Sequence, residues 1–155
     1  MKRTKKLLAI TLLLSLLSSF FLTGCSVSIS IEDSENMVKD FCDALKNDDF
    51  ETASNLMHEN ANLDAKKIES AVADIENACG FDFSDGVEFI KRTNYYVMNN
   101  IGIPAGISKT ITIKYDISVS EKNCELTVVL LNSSSGFGIN TFHVSLPSSL
   151  GTNAA

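Results

Sequence analysis

An α+β domain, helices first and an antiparallel sheet after them, is what this sequence predicts. Two observations carry that prediction. Apolar residues recur at three- and four-residue spacing between Met37 and Ala78, and from Val87 onward the period changes to two. The strands then follow one another without intervening helices, so about four of them should form a curved meander covered on one face by amphipathic helices.

Residues 26–33 read as a tether, with Val27, Ile29 and Ile31 alternating against serines; an edge strand is the alternative. Ser34 offers an N-cap to a first helix over about Glu35 to Lys46, whose Met37, Val38, Phe41, Cys42, Ala44 and Leu45 share a face. Asn47-Asp48-Asp49 breaks it, and Asp48 with Glu51 forms a capping-box-like pair for a short second helix carrying Phe50, Ala53, Leu56 and Met57. A third helix starts near Asp64, buries Ile68, Ala71, Val72, Ile75 and Ala78, and stops at Gly80, where a left-handed residue is easiest for glycine.

The first strand should run from Val87 to Met98, with Phe89, Tyr95 and Val97 on one face and Ile90, Tyr96 and Met98 on the other. The glycine-rich stretch from Asn99 to Gly106 is expected to end it. Lys109 to Val119 alternates Ile111, Ile113, Tyr115, Ile117 and Val119 against Thr110, Thr112, Lys114, Asp116 and Ser118. A turn at Glu121-Lys122-Asn123 leads into Cys124 to Leu131, whose run Val128-Val129-Leu130-Leu131 suggests a strand covered on much of both faces. Asn132 to Gly138 reads as a polar turn with Phe137 near its tip. Asn140 to Leu146 is the last strand, Pro147 ends it, and residues 148–155 should fray.

Charge separates the two halves. From Glu32 to Glu88 sixteen acids face four lysines, a balance of −12, whereas from Phe89 onward the balance is +2. Phosphate neutralisation needs clustered cations, so nucleic acid is excluded as a partner.

The first 24 residues have a different character. Lys2, Arg3, Lys5 and Lys6 precede an apolar run from Leu7 to Leu22, which is short of the roughly 20 residues that a spanning helix needs. The run closes on Leu22-Thr23-Gly24-Cys25, which resembles the lipobox of bacterial lipoproteins: an aliphatic residue, two small residues and a cysteine. The resemblance implies a signal peptide cut between Gly24 and Cys25, a diacylglycerol thioether on Cys25, and residence at the outer face of the plasma membrane, or in the outer membrane of a double-membrane host. Ser26 lacks the aspartate that commonly signals inner-membrane retention. Removing residues 1–24 takes four of the thirteen basic residues and none of the nineteen acidic ones, so the remaining 131 residues form one domain with a formal charge of −10.

With Cys25 lipidated, Cys42, Cys79 and Cys124 remain, as buried free thiols or with a Cys42–Cys79 bridge. No Cys-x-x-Cys or Cys/His cluster occurs, and no metal or cofactor is expected.

Val38-Lys39-Asp40-Phe41-Cys42-Asp43-Ala44-Leu45, continued by Lys46-Asn47-Asp48-Asp49-Phe50-Glu51-Thr52-Ala53, resembles the opening helices of the NTF2-like superfamily, the cystatin-like α+β roll, and the hairpin from Lys109 to Leu131 matches its central strands. The similarity covers about Ser34 to Leu146. It implies a cone between helices and sheet that may hold an apolar ligand, a catalytic group or nothing, and sheet-to-sheet homodimers in many members. Fold does not choose among these.

Candidates for a pocket or an interface are Tyr95 and Tyr96, which point to opposite faces, Phe137 at a loop tip, and His143, opposite Phe142, Val144 and Leu146 in its strand's alternation. His58, after the second helix, is expected in solvent. No nucleophile–base pair or acid–base dyad stands out. The sequence therefore points to a lipid-anchored, non-catalytic module that binds a small apolar ligand or an envelope protein. The alternative is a cone-pocket isomerase, lyase or hydrolase acting on an apolar cyclic substrate.

Overall fold

A computed structural model describes residues 29–102 and 106–147. The signal segment, Gly24, Cys25 and the tail 148–155 lie outside the described residues.

Among the described residues three α-helices precede the sheet: α1 (Ile31–Lys46), α2 (Phe50–Asn55) and α3 (Ala65–Cys79), with single 3₁₀ turns at Glu59–Ala61 and Phe83–Asp85. Helix α1 begins earlier than its cap pattern suggests. Ser34, expected as the N-cap, sits inside the helix and is fully buried, and Ile31 to Asp33 belong to its first turn rather than to a tether. Glu32 and Asp33 there, with Lys46 in the last turn, complement the helix dipole. Val38, Phe41, Cys42 and Leu45 form its buried stripe.

Helix α2 is capped by Asp49, whose carboxylate accepts from the Thr52 amide at 3.0 Å and the Thr52 hydroxyl at 2.7 Å. Asp48, the expected cap, instead has φ 53° and turns the chain between α1 and α2. Helix α3 is capped as expected: Asp64 accepts from the Lys67 amide at 2.9 Å, and Gly80, left-handed at φ 70°, donates to the Glu76 carbonyl at 2.7 Å. Of its expected core residues Ile68 and Val72 are buried, Ala71 and Ile75 are half-buried, and Ala78 is exposed while Cys79 is buried beside it.

Strands β1 (Glu88–Gly102), β2 (Gly106–Val119), β3 (Lys122–Ser133) and β4 (Gly136–Ser145) form an antiparallel meander in the order β1-β2-β3-β4. Each is longer than its sequence pattern. The stretch after Met98 does not end β1: Asn99, Asn100, Ile101 and Gly102 pair with Lys109, Ser108, Ile107 and Gly106, because the ladder satisfies their backbone groups whatever their side chains. The β2–β3 turn is Ser120-Glu121, both at positive φ, as the tightest hairpins require; Lys122 already pairs with Val119. Phe137 is likewise in the ladder, opposite Asn132, and the turn tip is Ser134-Ser135.

The helices cover the face bearing Ile111, Ile113, Tyr115, Ile117, Cys124, Leu126, Val128, Leu130, Ile139 and Val144. Phe41 of α1 meets Phe142 of β4 with ring centroids 4.9 Å apart. Phe41, Leu45, Ile68 and Phe83 from the helical side and Ile111, Ile113, Ile117, Val128, Leu130 and Ile139 from the sheet are all fully buried against one another. Strand β3 is buried on this face alone; Val129 and Leu131 on the other are half-exposed, which corrects the expectation of cover on both sides.

Candidate functional site

Strand β1 contains two β-bulges, between Phe89 and Lys91 and between Arg92 and Asn94. Each adds one residue and so inverts the alternation; the second undoes the first. Phe89 and Tyr95 therefore both face the helices, as their spacing predicts, but Arg92 between them is turned inward too, opposite Tyr115. Simple alternation would send Arg92 to the other face with Ile90 and Tyr96.

This inversion builds a polar cluster on the helix side of the sheet. The Arg92 guanidinium donates to the Glu35 carboxylate of α1 at 2.5 Å and lies 5.7 Å from the centroid of the Tyr95 ring. Phe89 packs edge-on against Tyr115 at 5.0 Å. The Tyr115 hydroxyl is buried and makes no hydrogen bond of regular geometry, although the Glu35 carboxylate lies near enough to act on it as a weak acceptor. Burial, followed by the nearby Glu35 carboxylate, pushes its pKa to about 12, against a smaller opposing pull from Arg92. At neutral pH the group is a neutral phenol. It can donate a hydrogen bond but cannot act as a general base, and Glu35 is engaged by Arg92.

A second polar network ties helix to sheet. His58, expected in solvent, is 3 % exposed. Its Nδ1 accepts from the Asn60 amide at 3.1 Å, so Nε2 carries the proton and donates to Ser133 Oγ at 3.0 Å; Ser133 lies 2.8 Å from Ser135 Oγ. A histidine donating to serine does not activate it. Burial follows from backbone pairing: the His58 amide donates to the Ile139 carbonyl at 2.7 Å and the Ile139 amide to the Leu56 carbonyl at 2.9 Å. Gly138 permits this approach, since a Cβ there would lie 2.6 Å from His58 N.

An open cleft of about 540 Å³ lies at the C-terminal end of α3, lined by Glu76, Asn77, Gly80, Phe81, Asp82, Asp85 and Ser120. Its carboxylates already hold the protein: Glu76 accepts from the Phe83 amide, Asp82 from the Ser84 amide, and Asp85 from the Ser120 hydroxyl. Among the described residues no group of three or more His, Cys, Asp or Glu converges to hold a metal ion. Cys42, Cys79 and Cys124 are free and buried, and burial, aided by Asp43, pushes the Cys42 thiol to about 12, far from a reactive thiolate.

The sequence candidates are not brought together. Tyr95 lies half-buried beneath Arg92, whereas Tyr96 is exposed on the opposite face. Phe137 is half-buried near the start of β4, and His143 is exposed farther along it, opposite Thr127. Glu35, Arg92 and Tyr115 were not legible as a set, because only the bulges align them. No family model matches the chain, and no curated protein matches it in sequence.

Proposed function

We propose that this chain is a lipid-anchored bacterial envelope protein whose NTF2-like domain is a non-catalytic module that binds a protein partner. The observation carrying the choice of partner over ligand is the packing between helices and sheet, where Phe41, Leu45, Ile68, Phe83, Ile111, Ile113 and Ile139 are fully buried in contact with one another's layers. An apolar ligand would have to displace these side chains. The face of the sheet that no described helix covers, with Tyr96, Met98, Val129, Leu131 and His143, offers a surface to a partner or to a second copy. The signal supports the anchor, because the multiple acyl chains implied for Cys25 give stable attachment where one would be marginal.

Two measurements test the two halves of this reading. Metabolic labelling with a radioactive fatty acid should mark the full chain, and Cys25→Ala should lose both the label and detergent-phase partitioning; unchanged partitioning rejects the anchor. Titration with an environment-sensitive apolar fluorophore should show no saturable site. Stoichiometric binding would replace the partner with a ligand.

One observation favours the enzymatic alternative, an isomerase, lyase or hydrolase of an apolar cyclic substrate: the buried Tyr115 hydroxyl beside Glu35 and Arg92. That reading requires a path from solvent to the hydroxyl. Solvent-excluded behaviour of Tyr115 toward phenol-modifying reagents in the native protein would remove it.

A further inference from the structure

Strand β1 is the outer edge of the sheet, and no described strand pairs with its free side. Which of its backbone groups face outward follows from the register. The two-residue turn Ser120-Glu121 makes Val119 and Lys122 a hydrogen-bonded pair, so odd-numbered residues of β2 bond to β3 and even-numbered ones to β1. Tyr96 and Met98, opposite Thr112 and Thr110, therefore bond inward, and the N–H and C=O groups of Tyr95, Val97 and Asn99 point away from the sheet. The same count turns the Ile139 groups outward from β4, where they bond to Leu56 and His58. Proteins blunt such edges with bulges and charges. Both bulges and both cations of β1 lie before Asn94, and over residues 94–100 the strand is regular and uncharged.

The side chains of this segment are bare on both faces. Tyr96 and Met98, on the face that no described helix covers, are 55 % and 46 % exposed, and Val97, on the helix side, is 40 % exposed. Packing of sheet against sheet would cover Tyr96 and Met98 and leave Val97 and the outward backbone groups in water. A strand added at the edge covers all of them. The segment is also its own complement. In an antiparallel pair of two copies centred on Val97, Val97 meets Val97 and Tyr95 meets Asn99 as hydrogen-bonded pairs that use the outward groups. Tyr96 then meets Met98 as the closer, non-hydrogen-bonded pair, in which an aromatic ring and a thioether attract. Arg92 falls opposite Gly102, so no cation meets a cation.

We infer that residues 94–100 of β1 are a self-association site, at which two copies of this chain join antiparallel across a two-fold axis at Val97 into one continuous sheet. The site is the edge of the sheet and not the open face assigned above to a protein partner, and it does not depend on the lipid anchor. The strip is about 24 Å long at the rise of a strand. That is the low end of interface size, so the pair is a weak one.

Sedimentation equilibrium of the full chain in density-matched detergent should show a concentration-dependent step from monomer to dimer and no higher order. Val97→Pro removes one outward N–H and leaves the β1–β2 hydrogen bonds in place, since proline is tolerated on edge strands; it should weaken dimerisation at least about tenfold. Should that variant fold poorly, Val97→Lys and Val97→Glu each set like charges against each other on the axis and should weaken it as much. Mixed in equal amounts, these two should associate again, because the residue on the axis lies opposite itself. Leu131→Glu, on the open face and two strands from the edge, should dimerise like the parent. Amide hydrogen exchange of the monomer should be fast at Val97 and slow at Met98, with Val97 slowing as the dimer forms. A chain still monomeric at about 1 mM, a dimer that survives Val97→Pro, an equal loss in Leu131→Glu, or charged variants that stay apart when mixed each overturns the inference. Protection of the Val97 amide in the monomer overturns it too, because another segment of the same chain would then cover the edge.

Discussion

Gly138 is the residue on which the attachment of the α2–α3 connection to the sheet depends. Its missing side chain lets β4 approach the backbone of Met57 and His58, where an added methyl group would meet backbone atoms at 2.6 to 2.9 Å. Backbone cannot swing aside as a flexible side chain can, so Gly138→Ala should lose about 3 kcal/mol, the upper end for overpacking, in urea denaturation. Tyr115 carries the opposite expectation. Its hydroxyl makes no hydrogen bond of regular geometry, only a weak interaction with Glu35, so Tyr115→Phe has little to lose; stability should be unchanged or rise by up to about 1 kcal/mol. A clear loss would reveal a stronger partner for that hydroxyl. Neither property was visible in the sequence, where Gly138 read as part of a turn and Tyr115 as one of five alternating core residues. Both depend on what another segment brings to the site.

At the scale of elements, local chemistry was legible and register was not. Asp64 and Gly80 bound α3 as their residue types predict, because a cap acts within one turn. Asp49 displaced Asp48 as the cap of α2, a choice between neighbours made by the left-handed turn at Asp48. The hairpin extension to Gly102 escaped notice because a ladder can be built from asparagine and glycine when the partner strand is in place. The caps also titrate. Thr52 lowers the Asp49 pKa and Ser84 lowers that of Asp82, both from an ordinary 3.8. A depressed folded pKa means that the contribution is complete above 3.8 and fades as pH falls through the lower folded value. Acid denaturation of the Asp49→Asn, Asp82→Asn double variant should therefore be less steep below pH 3.8 than that of the parent; identical profiles would show that the caps do not contribute.

For the whole molecule, the helices-then-sheet order was fully legible, since it rests on a change of period that survives errors of one or two residues at each boundary. Most of the side chains meeting between the layers were legible for the same reason, though Phe83 and Ile139, which lie outside the predicted elements, were not; Ile113, which has no exposed surface, should lose about 2–5 kcal/mol on replacement by Ala. The cluster of Glu35, Arg92 and Tyr115 was not, because it joins α1 to two strands across a register that periodicity does not encode. Charge was legible only as a division along the chain. The structure converts it into geometry, with the acidic segments in the helical layer and the acid-free stretch from Phe89 to Tyr115 in the long hairpin.

The paired bulges of β1 also give that strand slack. Ile90 and Thr93 are surplus to the ladder, and removing either leaves Phe89, Arg92 and Tyr95 opposite Ile117, Tyr115 and Ile113. Strand β2 has no surplus where it is paired on both sides, so losing Thr112 would turn every side chain on one side of the gap to the wrong face. Single-residue deletions should accordingly be tolerated at Ile90 and Thr93 and abolish folding at Thr112, as read by proteolysis of the expressed chains. Length changes can accumulate at one edge of the sheet while its centre stays fixed.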